Sequence, residues 1–299
     1  MGMPVASTPL GITYLDPDGN SWYLSDLTMA NGLICSAIAG VEGLATMTQT
    51  IPLLDGTAIP NLYIPQPGSI TLAVFVGWPD PSDESSYYQL LDNVVRAFLT
   101  RRNELPVPGY LQVQRPDGSV RQIAVYTTSG LNTPEVSING TLYTLTLQTP
   151  DPYWSDLVQQ TLVFASGASS GILPVLPVTL SGTVLGSNIV NNGGNALAWP
   201  VWTITGPGTP TIKNVTTGRQ WSLSTSIPAG NVVQVATKPG TQYATNLTTS
   251  TNIWNQLTYS SPRDLWPLVG GANQVSVTMA GSTAASSVKM VWTNRWSRA

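Results

Sequence analysis

Asp151 and Asp156 flank a Tyr153-Trp154 pair in the stretch LQTPDPYWSD, residues 147–156. Two carboxylates held about 5 to 9 Å apart can cleave a glycosidic bond, one as acid and the other as base or nucleophile. Aromatic rings beside them would serve as a sugar platform. A structural reading competes with this one: Asp-Pro starts turns, and a Tyr-Trp pair that follows a strand plugs the bottom of a core. The sequence favours the structural reading, in which Pro150, Asp151, Pro152, Tyr153 and Trp154 form a rigid seam between two domains and neither carboxylate is catalytic.

Other chemistries are removed by composition. The chain has no histidine, which excludes the Ser-His-Asp triad, the Cys-His pair and imidazole-built zinc sites. Its one cysteine, Cys35, lies in the apolar run GLICSAIAG and reads as a buried, inert thiol. Gly-rich stretches such as LVGGAN lack the lysine and the strand-to-helix setting of a phosphate cradle. Twelve basic residues with no cluster denser than Arg101-Arg102 do not make a nucleic-acid reader. No catalytic residue, metal ligand or cofactor is assigned. A basic segment leading into an apolar run is missing at the N-terminus, and nothing approaches the ~18 apolar residues that span a bilayer. Synthesis in a cytoplasm without a membrane anchor is the expectation.

The elements that would position these residues are mostly strands. Short runs alternate apolar and polar residues and are punctuated by Gly, Pro and Asp-Gly. Hairpins are expected at Pro17-Asp18-Gly19, Asp55-Gly56 and Pro116-Asp117-Gly118. In TLYTLTLQ, Tyr143, Leu145 and Leu147 share one face and Thr144, Thr146 and Gln148 the other. One segment has helical spacing instead: Tyr87, Leu91, Val94, Val95 and Phe98 predict an amphipathic helix over about 82–101, capped by Asp80 with Pro81 in its first turn. Seven of the ten tryptophans lie past residue 156, and most of them read as core filler of an antiparallel sandwich. The chain is expected to close with a hairpin made from QVSVTM and VKMVWTN. With 299 residues and 42% hydrophobic content, two cores can be filled. The fold class is therefore mainly β, with two antiparallel sandwich-type domains: residues 1–156, carrying the helix, and residues 157–299, an antiparallel sandwich or jelly roll, which the family resemblance below makes galectin-like.

Charged residues make up 9% of the chain, against about 25% in an ordinary soluble domain. A surface so poor in charge suits a subunit covered by copies of itself. The helix-free stretch from Asn31 to Gly68 is too long for an ordinary loop and could lie over a neighbour as a belt.

LQTPDPYWSD at a domain boundary resembles the joint in distal tail proteins of phages with long non-contractile tails. The order of LDPDGNSWYL, GVEGL, IPLLDGTAIP and LPVPGYLQVQRPDGSVRQIAVY around one helix is similar too, and NNGGNALAWPVWTITGP and WPLVGGANQVSV resemble the family's galectin-like domain. The resemblance implies a virion protein of the tail tip: a homohexameric hub ring whose first domain surrounds a channel. Its partners would be the tail tube protein, the tape-measure protein and a tip or receptor-binding protein. A carbohydrate-binding protein is the alternative, and a glycosidase using Asp151 and Asp156 comes third.

The charge is unevenly divided. Residues 1–156 hold 14 acidic and 5 basic side chains, net −9, and residues 157–299 hold 1 and 7, net +6, which together give −3. A channel wall that lets DNA slide cannot be basic, because each neutralised phosphate adds affinity. Asp16, Asp18, Asp26, Glu42, Asp55 and Asp117 are the candidates to face such a lumen, and Lys213, Arg219 and Arg263 to face outward. The competing reading is that these acids merely serve their turns.

Overall fold

A computed structural model of the chain describes residues 11–44, 46–52, 58–78, 83–165 and 184–299. They divide into two compact units. Unit 1 is residues 1–157 together with 296–299, and unit 2 is residues 158–295. The last four residues, expected in the second domain, thus belong with the first.

Unit 1 contains β1 (Gly11–Leu15), β2 (Ser21–Tyr23), β3 (Leu33–Ala39), β4 (Thr46–Pro52), β5 (Ala58–Pro65), β6 (Gly68–Gly77), α1 (Glu84–Phe98), β7 (Arg101–Arg102), β8 (Leu105–Pro106), β9 (Gly109–Gln114), β10 (Val120–Ser129), β11 (Glu135–Ser137), β12 (Gly140–Thr149) and β13 (Trp154–Asp156). One run of antiparallel strands is β2-β1-β9-β10 and another is β10-β12-β6-β3. β10 serves both. Val120–Val125 pair with β9, and after them Tyr126, Thr127 and Ser129 pair with β12 across a bulge. The alternation expected for residues 141–148 holds: Tyr143, Leu145 and Leu147 are buried in the core, while Thr144 and Gln148 are exposed.

Two of the three expected hairpin turns are described. β1 and β2 fold back around Pro17-Asp18-Gly19, and β9 and β10 around Pro116-Asp117-Gly118, where Gly118 takes φ +81°. Asp55 and Gly56 lie outside the described residues, but the strands on either side of them, β4 and β5, pair along their length with a bulge at Gln49/Thr50. This ribbon pairs with no other strand among the described residues.

The helix is shorter than its spacing suggested. Asp83 is its N-cap, its Oδ1 accepting from the Ser85 and Ser86 amides at 3.0 and 3.4 Å. Asp80, Pro81 and Ser82, expected at this end, lie outside the described residues. The helix stops at Phe98 because Leu99 turns extended and Arg101-Arg102 pair with Leu105-Pro106. Tyr87, Val94, Ala97 and Phe98 are buried, with Leu91 and Val95 at the margin of the same core. The Tyr14 ring of β1 stacks on Phe98 at 4.2 Å, and its hydroxyl donates to the Ala97 carbonyl at 3.2 Å. Burial pushes the Tyr14 phenol well above its ordinary pKa. Gly109 is required beside this pair, since a Cβ there would sit 2.2 Å from the Tyr14 hydroxyl.

Unit 2 is a sandwich of two antiparallel sheets built from β14 (Gln160–Ala165), β15 (Val184–Asn192), β16 (Val201–Thr205), β17 (Thr209–Asn214), β18 (Arg219–Leu223), β19 (Val232–Ala236), β20 (Tyr243–Asn246), β21 (Thr251–Asn252), β22 (Leu257–Thr258), β23 (Gly271–Ala280) and β24 (Ser287–Trp292). The sheets are β14-β24-β16-β19-β20-β21 and β15-β23-β17-β18-β22. A closing hairpin is therefore not formed: β23 pairs with β15 and β17, β24 with β14 and β16, and the link between them crosses from one sheet to the other. Alternation marks both as strands with one buried face but does not say against which neighbour they hydrogen-bond. Trp202, Trp221, Trp266 and Trp292 are buried in this core. Their indole N–H groups have no hydrogen-bond partner among the described residues, and Trp202 meets Trp221 and Trp266 edge to face at 6.1 and 5.4 Å. A short strand, β25 (Arg295–Trp296), leads the chain back to unit 1.

Candidate functional site

The joint at residues 150–156 is the place to look first. Trp154 is 2% exposed and belongs to the core of unit 1, so its face is not available to a sugar ring. β13, which carries it, pairs with β10 through Ser155-Gln122 and Asp156-Arg121. Asp151 Oδ1 accepts from the Tyr153 amide at 3.2 Å, a turn contact, while Asp156 Oδ1 accepts from the Trp296 indole N–H at 2.7 Å. Pro150 is exposed, and Pro152 and Tyr153 are half-buried. Trp154 is committed to the core, while the half-exposed Asp151 and Asp156 each accept a hydrogen bond from the protein itself.

What this joint does hold is the C-terminal tail. The Arg121 guanidinium lies 3.7 Å from the centroid of the Trp296 ring, and its Nη1 donates to the Arg298 carbonyl at 2.9 Å. The Ala299 amide donates to the Val41 carbonyl at 3.0 Å, and Arg298 stands 4.0 Å from Glu42. Arg121 is 4% exposed, and burial pushes its pKa down, with Arg115 adding to the effect. Sequence reasoning missed this group. The available signal was Arg121 itself, which shares a strand face with the core residues Ile123 and Val125.

The six acidic candidates are all in unit 1, and the structure gives them different roles. Asp16 is 5% exposed. Its Oδ1 accepts from the Asp18 and Asn20 amides at 2.9 and 2.8 Å, and Oδ2 from Asn20 Nδ2 and Trp22 Nε1 at 2.9 and 3.0 Å. Burial would raise its pKa, but these donors outweigh it and hold the carboxyl below the usual range. Asp16 thus serves its own hairpin and shows little of its carboxylate to solvent.

Asp18 accepts from Arg102 Nε and Nη2 at 2.8 and 3.0 Å and stands 3.5 Å from Arg96. Arg102 also donates to the Leu99 and Arg96 carbonyls, so one guanidinium closes the end of α1 and ties it to the β1–β2 turn. The Arg102 hydrogen bond depresses the Asp18 pKa. Asp26 serves the Thr28 and Ala30 amides and Asp117 the Ser119 amide, each with a lowered pKa from its hydroxyl neighbour, Thr28 or Ser119. Glu42 is exposed, and Asp55 lies outside the described residues.

Lys213 and Arg263 are exposed and Arg219 is half-buried, all in unit 2. Cys35 is half-buried; burial pushes its thiol up to about 11 although its Sγ–H points at the Ala37 carbonyl.

A mainly β unit with one long helix, followed by a two-sheet sandwich, is a fold shared with solved chains of phage tails and baseplates. The chain is similar to the crystal structure of the SPP1 Dit (gp 19.1) protein, described as a paradigm of the hub adsorption apparatus in phages that infect Gram-positive hosts: TM-score 0.63, 11% identity, 96% of this chain and 99% of that one. It is also similar to a chain of the phage P2 baseplate in its activated conformation with Ca, at TM-score 0.52 and 9% identity over 94% and 97%. The same baseplate with Sr gives 0.51 at 9% identity over 95% and 98%. No protein-family model matches the sequence, and no curated protein does.

Proposed function

We propose that this chain is a non-enzymatic structural subunit of the tip of a long non-contractile phage tail. Six copies form a hub ring that joins the tail tube to the tip or receptor-binding proteins, with the tape-measure protein inside and DNA passing without specific binding. The observation that carries this reading is the likeness to SPP1 Dit over nearly the whole length of both chains.

Two features of unit 1 support self-association. A ribbon of two strands standing alone is marginally stable in water, and β4–β5 is such a ribbon, without a third strand among the described residues. The belt expected over residues 31–68 contains it, and a neighbouring copy would provide its cover. Unit 1, residues 1–157 with 296–299, also carries 14 acidic against 6 basic side chains, so a wall built from it would repel DNA. Asp26, Glu42 and Asp117 are the described acids best placed to contribute, with Asp18 partly neutralised by its arginines.

Negative-stain imaging and light scattering of the purified full chain test the proposal. Sixfold rings with six times the chain mass are expected. Monomers at high concentration would overturn it.

A further inference from the structure

Three Asn-Gly pairs occur in the chain: Asn31-Gly32, Asn139-Gly140 and Asn192-Gly193. In such a pair the glycine amide nitrogen, which no Cβ shields, can reach the side-chain carboxamide before it. The nitrogen bonds to Asn Cγ and gives up its proton, and the side-chain nitrogen departs as ammonia, leaving a five-membered succinimide. Water then opens the ring at either carbonyl, to aspartate or to isoaspartate. One water enters, one ammonia leaves, and no other reactant is needed.

The fold withholds two of the three pairs. Asn31 donates from Nδ2 to the Tyr23 carbonyl at 3.1 Å and accepts at Oδ1 from the Leu33 amide at 3.2 Å, while the Gly32 amide donates to the Met29 carbonyl at 2.8 Å. Asn192 is 1% exposed; its Nδ2 donates to the Ala196 and Leu268 carbonyls at 2.9 and 3.3 Å, and its Oδ1 accepts from the Gly194 amide at 3.1 Å. The Gly193 amide donates to Asn294 Oδ1 at 3.1 Å. In both pairs the attacking nitrogen and the carboxamide it would attack are each held by other groups.

Asn139 differs. It is exposed in the two-residue turn Ile138-Asn139 between β11 and β12, and its carboxamide makes no hydrogen bond among the described residues, while its backbone amide donates to Ser137 Oγ at 3.3 Å. Gly140 pairs with Ser137, but β11 is only three residues, all exposed, whereas β12 is paired along its length with β6. A short exposed strand opens at little cost. Its opening frees Gly140 from Ser137 while β12 stays in place.

We infer that Asn139 is a self-modifying site, converting to aspartate and isoaspartate in the native protein while Asn31 and Asn192 persist. Aspartate puts a carboxylate beside Ile138, which is 94% exposed, and at the edge of the cleft lined by Met29, Phe75 and Trp78. Isoaspartate carries the main chain through the side chain and lengthens it by one methylene, which a two-residue turn does not accommodate. The tip of this hairpin thus passes from a neutral, apolar surface to a charged or unpaired one as the protein ages. The chemistry needs only the folded chain, not a ring.

The full chain is incubated in mildly alkaline buffer, folded and in guanidinium chloride, and its peptides are weighed by mass spectrometry. Each conversion adds about 1 Da, and chromatography separates the aspartyl and isoaspartyl forms. In the folded protein the Asn139 peptide is expected to convert at least about tenfold faster than those of Asn31 and Asn192, since each hydrogen bond that must break first slows the reaction several-fold. In the denaturant the three rates should converge, because the following residue is glycine in every pair. Asn139→Gln, which would have to close a larger ring, should suppress conversion at this position and leave the melting curve of the fresh protein unchanged. Asn31 or Asn192 converting as fast as Asn139 in the folded protein, or an Asn139 that persists there, would overturn the inference.

Discussion

Arg121 and Trp296, 175 positions apart in the chain, form a stacked cation and indole with the guanidinium carbon 3.7 Å from the ring centroid. The contact occurs where Arg121 is almost wholly buried and where its Nε has no hydrogen-bond partner among the described residues. A buried guanidinium is costly unless something compensates it. Here the compensation comes from the Trp296 face, the Arg298 carbonyl and the acids Asp156 and Asp117 nearby. Residues 296–299 thus pack against the core of unit 1.

Trp296→Ala is accordingly expected to destabilise unit 1 by about 2 kcal/mol or more, since a desolvated cation–π contact is lost and a buried charge is left exposed to an empty site. Removal of residues 296–299 should do at least as much. Urea unfolding of the full chain, followed through unit 1, measures both, and an unmoved midpoint would show that the tail contributes nothing.

Trp154→Ala should cost about 3–5 kcal/mol, as large aromatic truncations in cores do. Asp156→Asn keeps an oxygen that can accept from the Trp296 indole and should cost under about 1.5 kcal/mol. Asp156→Asn and the matching Asp151→Asn decide the enzymatic alternative: sugar hydrolysis that vanished with either would mean that these carboxylates act on substrate.

Asp16 makes unit 1 acid-sensitive. Its folded pKa lies below the unfolded value of about 3.9. The stabilisation is therefore complete above that value and is lost as pH falls through the folded one. Asp16→Asn should lower stability at neutral pH by about 1–3 kcal/mol, because the mutant amide cannot accept from four donors as the carboxylate does. It should also flatten the loss of stability below about pH 4. A pH series of unfolding midpoints for both proteins provides the check.

Cys35 should react slowly with thiol reagents. With its pKa raised to about 11 by burial, only about a thousandth of it is thiolate at pH 8, against roughly a quarter of a free thiol. The native protein should therefore react on the order of a hundredfold more slowly than the same protein in urea. Equal rates would show that the thiol is freely accessible.

The sequence alone was enough for the features whose causes are local. Period-two alternation marked residues 141–148 as a half-buried strand, the Pro-Asp-Gly corners marked the β1–β2 and β9–β10 turns, and 3.6-residue spacing marked the helix, because each depends on side chains only a few positions apart. The same locality misled at the ends. Val288, Met290 and Trp292 alternate as expected, yet their strand hydrogen-bonds to β14 and β16, because any strand with one apolar face fits either sheet of a sandwich. Asp16 and Asp18, two residues apart in one turn, look alike in sequence. Only folding separates them, burying one against Trp22 and pairing the other with Arg102, 84 positions away. Trp296 was counted with the tryptophans of the second domain, and its place beside Asp156 and Arg121 was decided by tertiary structure alone. Contacts across 140 and 175 residues depend on where the whole chain has been carried by the strands between them, and no periodicity or turn signal encodes that distance.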